Sequence, residues 1–256
     1  SIADRMTLAN VTAEMGLKSA AFPPDDKLAD YFGDYAVQGV WADRDAMYYK
    51  EFEVDLAQVI PLVMEVGEIN EIKAPGEWGR LEIQQGLIGA CASGRLEDLR
   101  VVARILDGKK IASGFQLSIV PASREIYLQA IQEGIIDRLV KSGASILGSS
   151  CGPCLGSSHM IMADTRRFIT TVNSNSMRRL SAIGVEKYVA SPATVAMTAL
   201  TGVLTVEVER TDAKYPYWEM PKVWVTVNEF ERRYHNRVWN YGDLNSIACE
   251  QLFDEA

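Results

Sequence analysis

The residues best suited to chemistry in this sequence are two cysteines that lie two positions apart. Cys151 and Cys154 fall in the stretch GSSCGPCLG from 148 to 156, whose central Gly-Pro predicts a tight turn with both sulfurs on one side. Three kinds of site use such a pair: a zinc site, completed here by Cys91 and His159; a thiol redox centre; and an iron–sulfur cluster bound by three thiolates. A fourth interpretation is simple packing of small buried side chains. The spacing alone leaves all four open.

The composition excludes several classes of protein. The chain has 26 Lys and Arg against 34 Asp and Glu, so its net charge of −8 argues against a broad nucleic-acid-binding surface. Four cysteines are too few for a secreted disulfide scaffold, and no apolar run approaches the roughly 20 residues that cross a bilayer. Only two histidines are present, and neither lies in a nucleophile motif. We therefore expect a cytoplasmic enzyme or binding protein with no nucleic-acid or membrane partner.

A second group of candidate residues lies near the start of the chain. Residues 4–16 carry apolar side chains at helical spacing and end at Gly16, which predicts a helix. Asn10 and Glu14 are four residues apart, so both project from one face of that helix. Their spacing alone favours an ordinary solvent-exposed pair. Residues 22–50, by contrast, are polar and are predicted to be loop-rich.

The elements that would position these side chains alternate between strands and helices from about residue 81. Strands are predicted at 87–90, 116–120, 145–147, 168–172 and 188–190, with helices that begin near Ser93, Ser123 and Ser191. This order predicts an α/β fold of three layers, a mostly parallel sheet with helices on both faces. Four of the strands are followed directly by thiol or polar residues, namely Cys91, Cys151 with Cys154, Asn173 and Ser191. Because parallel strands end at the same edge of a sheet, we expect these groups to share that edge.

Four segments of the sequence together resemble one known family. They are RMTLANVTAEMG (5–16), GACASGRLEDLRVVARIL (89–106), GSSCGPCLG (148–156) and SPATVAMTALTG (191–202). This ordered combination resembles the aconitase and isopropylmalate dehydratase (homoaconitase) family of iron–sulfur hydro-lyases over nearly the whole chain. The resemblance implies a fold like the third domain of aconitase. It also implies a dehydratase or isomerase that acts on a hydroxy di- or tricarboxylic acid.

The resemblance also implies a cofactor. Cys91, Cys151 and Cys154 correspond to the family's three ligands of a four-iron, four-sulfur (4Fe-4S) cluster, whose fourth iron binds the substrate. That assignment gives His159 no role. Cys249 lies outside the cluster motifs and is expected to be an ordinary thiol.

The remaining site residues are assigned by the same resemblance. Asn10 and Glu14 correspond to residues that face the substrate, with Glu14 catalytic, which reverses the interpretation from spacing alone. Asn173 and Arg179 correspond to the first Asn and the last Arg of the family's NRNFxGR segment, whose Arg binds a substrate carboxylate. Arg178 is expected to replace a charge that the segment otherwise lacks.

Two departures from the family pattern affect the expected substrate. The usual first Arg of the NRNFxGR segment is Ser174 here, and the usual CTN after the first ligand reads CAS, which places Ser93 where an amide is expected. Loss of a guanidinium removes a charge-assisted bond that is typically worth about 1.5 to 3 kcal/mol. Citrate is therefore a less suitable substrate. A non-catalytic iron–sulfur or zinc-binding module derived from the family is the alternative interpretation.

The resemblance also predicts a domain organisation. Residues 1–52 are expected to be the end of a preceding α/β domain and a linker, 53–205 the cluster-binding domain, and 206–256 a connector and the start of a swivelling domain. In the family, the swivelling domain supplies a Ser alkoxide and an N-terminal domain supplies Asp/His pairs. The two histidines here do not occupy such positions. We therefore expect the chain to depend on N-terminal and swivelling domains on the same or a partner chain.

Overall fold

The structure, a computed structural model, describes residues 1–33, 42–67, 71–151, 154, 166–173 and 184–205, together with the backbone of 223–227. The chain divides into two compact units, one of Ser1–Trp41 with Ala57–Met220 and one of Ala42–Leu56 with Pro221–Ala256. The predicted domain boundaries at 52/53 and 205/206 stay predictions. None of the described helices is both long and apolar enough to cross a membrane.

Short helices and short strands alternate along the larger unit. Its helices are α1 (Ile2–Val11), α2 (Asp26–Phe32), α3 (Ala90–Ser93), α4 (Leu96–Leu106), α5 (Arg124–Gln132), α6 (Ile135–Ser142) and α7 (Pro192–Thr201). The strands of the chain are β1 (Lys50–Val54), β2 (Val63–Glu65), β3 (Glu71–Lys73), β4 (Gln85–Gly89), β5 (Gln116–Val120), β6 (Ser145–Ile146), β7 (Arg167–Thr170), β8 (Glu186–Val189) and β9 (Val223–Val227).

The larger unit contains a seven-stranded sheet with the order β3-β2-β8-β7-β4-β5-β6. The five strands from β8 to β6 are parallel, whereas β2 pairs antiparallel with both β8 and β3. The predicted α/β fold with a mostly parallel sheet is therefore confirmed. The sequence does not predict β2 and β3, because their short segments carry no clear period-2 pattern. In the smaller unit β1 and β9 form a two-stranded antiparallel sheet.

The sheet separates two buried apolar clusters, because alternate residues of a strand point to opposite faces. The first cluster combines one face of the sheet with helices α4, α6 and α7; Ile88 of β4 and Ile169 of β7 belong to it. The second cluster lies on the other face. Its buried members are Leu87, Ala90, Val120, Cys154, Phe168 and Val172. One of the predicted ligand cysteines is therefore part of the core.

Several predicted helix ends are confirmed by their caps. The Ser123 hydroxyl accepts from the Ile126 N–H at 3.2 Å, and the Ser191 hydroxyl does the same for Thr194 at 3.2 Å. One prediction was wrong. Ser93 does not cap α4; it is the buried last residue of α3, and the Asp98 carboxylate instead accepts from the Arg95 backbone N–H. Within the polar segment 22–50, α2 forms because the Asp25 side chain accepts from the Leu28 N–H.

Candidate active site

The turn that carries Cys91 leaves β4 through an unusual backbone conformation. Gly89 has φ +121°, and Ala90, which follows it, has φ +57° in the left-handed region that non-glycine residues rarely occupy. The turn also lies against the end of β5. A Cβ at Gly89 would be 2.0 Å from the Val120 carbonyl oxygen, and one at Gly94 would be 2.5 Å from the same atom. Only glycine fits at both ends of this turn, which holds Cys91 at the carboxyl edge of the sheet.

Polar groups from three segments fix the turn, which runs from Gly89 to Gly94. The Gly89 N–H donates to the Thr171 hydroxyl at 2.9 Å at the end of β7, and the Ala122 N–H donates to the Gly94 carbonyl at 2.8 Å. The Arg95 guanidinium donates through Nη2 to the Cys91 carbonyl at 3.2 Å. These bonds stabilise a conformation that is locally unfavourable at Ala90.

An acidic group, Asp98, lies in the first turn of α4, seven residues beyond Cys91. Burial raises the pKa of the Asp98 carboxyl to about 6, and the negative charges of Glu97 and Asp4 act in the same direction. Its hydrogen bond from the Arg95 N–H opposes this shift. Asp98 therefore caps the start of α4, but its ionisation lowers the stability of the fold because the carboxylate is partly buried.

The paired cysteines follow β6, two strands away from β4. The Cys154 N–H donates to the Cys151 carbonyl at 2.8 Å, so the two residues share a turn. Cys91 and Cys151 are exposed, whereas Cys154 is buried in the second apolar cluster together with Ala90. Among the described residues, no group of three or more His, Cys, Asp and Glu side chains lies close enough to hold a metal ion. The three thiols are the donor type that a thiolate-bound cofactor requires, and they follow strands that end at the same edge of the sheet. In the structure they do not lie close enough together to form a complete ligand set.

Helix α1 brings the second group of predicted residues to this edge. The Asn173 Nδ2 donates to the Asn10 Oδ1 at 2.9 Å, although the two residues are 163 positions apart. Asn173 follows β7, and Asn10 lies on the face of α1 that also carries the buried Ala3. Glu14 lies half-buried on the 3-10 turn Thr12–Met15 that continues α1. The pairing of Asn10 and Asn173 is the clearest convergence of predicted residues in the structure.

Two further contacts anchor α1 to the rest of the larger unit. Arg5 forms a two-pronged ion pair with Asp25, the residue that caps α2, with one Nη1–Oδ1 distance of 3.0 Å. The Thr7 hydroxyl donates to the Ala92 carbonyl at 2.7 Å, next to Cys91. The sequence gives no signal for Thr7, because a threonine within a helix commonly bonds a carbonyl of its own helix. The sequence likewise gives no signal for Arg95 and Thr171, whose roles are seen only in their contacts in the structure.

Several predicted residues lie outside the described part of the chain. They are the substrate-binding candidates Arg178 and Arg179, the substituted position Ser174, and His159 and Cys249. Their predicted roles, or the absence of one, stay predictions. The site as described therefore consists of the Cys91 turn, the two paired cysteines and the Asn10–Asn173 pair.

Comparison with known proteins identifies the family. The model of the aconitase family (aconitate hydratase) matches residues 64–202, which is more than half of the chain. The chain belongs to the aconitase family. The family membership predicted from the four motifs is thus confirmed, and the matched range contains all three cysteines of the candidate site.

Individual relatives of this aconitase-family chain are enzyme subunits by name. The large subunit of 3-isopropylmalate dehydratase from Clostridium beijerinckii is 41% identical over 209 residues, 80% of this chain and 50% of that protein. A probable methanogen homoaconitase large subunit from Methanosarcina mazei is 40% identical over 208 residues, 80% of this chain and 52% of that protein. The chain spans about half the length of these curated relatives.

A solved structure is also similar in part. Aconitase X from Thermococcus kodakaraensis, in its holo form, is 24% identical and covers 41% of this chain and 25% of that chain, with a TM-score of 0.32.

Proposed function

We propose that this chain is the cluster-bearing part of a hydro-lyase that acts on a hydroxy di- or tricarboxylic acid. The observation that carries the proposal is the hydrogen bond between Asn10 and Asn173, which joins α1 to the edge of the sheet where Cys91, Cys151 and Cys154 lie. The names of the relatives, 3-isopropylmalate dehydratase and homoaconitase, support this reaction class.

The proposed cofactor is a 4Fe-4S cluster held by Cys91, Cys151 and Cys154. When bound, such a cluster supplies a Lewis acid that polarises the hydroxyl group of the substrate. The protein's own contribution is to hold the three thiolates at one edge. Close contact of the Cys91 turn with β5 keeps the first thiol in place, and the buried position of Cys154 fixes the paired thiols.

Polar side chains of this chain would orient the substrate and transfer protons. In the Asn10–Asn173 pair, one amide hydrogen and one carbonyl oxygen are used by the pair itself, which fixes the plane of both amides. The two amide hydrogens of Asn10 and the side-chain oxygen of Asn173 would then bind a carboxylate and a hydroxyl. Glu14 would hold a proton at its carboxylate beside the departing hydroxyl. Arg178 and Arg179 would bind a carboxylate of the substrate.

We further propose that turnover needs N-terminal and swivelling domains on the same or a partner chain. The relatives are about twice as long as the matched region, and they are named large subunits. We expect the 256-residue chain alone to show little or no dehydratase activity. Robust turnover by the isolated chain would contradict this proposal.

The cofactor is tested by reconstituting the full 256-residue chain with iron and sulfide under anaerobic conditions. We expect about four iron atoms and four sulfides per chain, a brown colour, and an EPR signal after one-electron oxidation that changes when hydroxy acids are added. Cys91→Ser should lower the iron content severalfold, while the matched control Cys249→Ser should leave it unchanged. A colourless chain that binds zinc would instead favour the non-catalytic zinc module. Iron content that does not depend on Cys91 would refute the assigned ligand set.

A further inference from the structure

The short helix α3, which carries Cys91, is held through its backbone carbonyls by side chains from outside its own turn. The Arg95 guanidinium donates to the Cys91 carbonyl and the Thr7 hydroxyl donates to the Ala92 carbonyl, at 3.2 and 2.7 Å. Arg95 is close in sequence, so its bond fixes the turn only to the start of α4. Thr7 lies 85 residues away, on α1. Its hydroxyl therefore joins two separate parts of the site.

The turn needs such support because its backbone is strained. A left-handed conformation is unfavourable at a residue with a Cβ, and Ala90 keeps it at φ +57°. A strained backbone conformation persists only where several surrounding contacts each stabilise it. Hydrogen bonds from outside the turn hold the residues on both sides of Ala90: Gly89 donates to the Thr171 hydroxyl, Ala92 accepts from the Thr7 hydroxyl, and Gly94 accepts from the Ala122 N–H.

The same face of α1 carries the other half of the site. Thr7 and Asn10 are three residues apart and lie on one side of the helix. The first contacts the Cys91 turn, and the second contacts Asn173 after β7. α1 therefore joins the ends of two strands, β4 through the Cys91 turn and β7 through Asn173.

We propose that Thr7 is a positioning residue that couples α1, with Asn10 and Glu14, to the turn that presents Cys91. The coupling exists in the chain itself, without any bound group. Its consequence for catalysis rests on the proposed function. Loss of the hydroxyl leaves the Ala92 carbonyl without its partner and allows the turn to open more often.

Hydrogen exchange of the 256-residue chain, followed by mass spectrometry of the peptide 89–95, measures this opening. Thr7→Val removes the hydroxyl and keeps the side-chain shape; we expect exchange in this peptide to become about 3- to 10-fold faster. Thr7→Ser restores the hydroxyl and should return the rate close to that of the unchanged chain. Thr12→Val is the matched control, because the Thr12 hydroxyl donates at the same 2.7 Å to Ala9 within its own segment.

The result that overturns the proposal is exchange in 89–95 that is unchanged by Thr7→Val, or that is accelerated equally by Thr12→Val. Circular dichroism monitors folding of each variant, and Thr7→Ala provides the same loss of hydroxyl if Thr7→Val does not fold. Failure of the proposed function gives a different result. A chain that binds no cluster would still show the exchange effect, whereas a cluster-binding chain should also lose its iron faster in air when Thr7→Val is introduced.

Discussion

A single methyl group at Gly94 should destabilise the larger unit, because the Cys91 turn packs directly on the end of β5. Gly94 has φ −105°, so alanine meets no backbone restriction there. The obstacle is steric: an added Cβ would lie 2.5 Å from the Val120 oxygen, 2.7 Å from the Ala90 oxygen and 2.8 Å from the Ala122 nitrogen. All three are backbone atoms, which cannot move aside as a side chain can.

The size of the effect follows from two opposing terms. Overpacking of a well-packed site costs about 1 to 3 kcal/mol, and contact with three backbone atoms places Gly94→Ala near the upper end. The reduced freedom of the unfolded chain returns about 0.4 to 1 kcal/mol. The expected net loss in the free energy of unfolding is about 2 kcal/mol, or about 4 to 8 °C in Tm for a unit of this size.

Urea denaturation monitored by circular dichroism measures this loss, with Gly76→Ala as the matched control. Gly76 also lacks a positive φ, and a Cβ there meets no atom within 4 Å. Gly76→Ala should therefore be neutral or slightly stabilising. If Gly94→Ala unfolds at the same urea concentration as Gly76→Ala, the close packing of the Cys91 turn on β5 is refuted.

Three further predictions concern the same region. Ala90→Gly should change the free energy of unfolding by less than about 1 kcal/mol, because relief of the left-handed strain is offset by the entropy cost of glycine and by the loss of a buried methyl group; a larger change in urea unfolding would contradict this. A double-mutant cycle of Asn10→Ala and Asn173→Ala should give a coupling of about 1 kcal/mol in urea unfolding, and strict additivity would show that the amides do not interact. Burial raises the pKa of Asp98 in the folded chain to about 6, so the folded chain binds this proton more tightly than the unfolded chain does. The contribution of Asp98 to the free energy of unfolding therefore falls as pH rises from about 4 to 6. Asp98→Asn should flatten that fall and stabilise the chain by about 2 kcal/mol at pH 7, as urea midpoints at pH 4.5 and 7 would reveal.

Local signals determine much of the fold directly from the sequence. The strand at 116–120 has the predicted bounds, and the helix starts at Ser123 and Ser191 are where their caps place them. These features depend on residues within a few positions of each other, such as a hydroxyl that accepts from an N–H three residues later. The order of strands also fixes which residues reach the carboxyl edge of a parallel sheet. The four motifs additionally identify the family.

The tertiary structure decides how that edge is assembled. The bonds from Thr7 to Ala92, from Gly89 to Thr171 and from Asn173 to Asn10 join residues 85, 82 and 163 positions apart. The antiparallel strand β2 depends on its pairing with β8, and the left-handed Ala90 depends on the contacts of its turn. No local pattern encodes them, because each needs a partner that only the folded sheet brings within reach. The sequence thus determines which residues can do chemistry, and packing of α1 and β5 around the Cys91 turn decides where they stand.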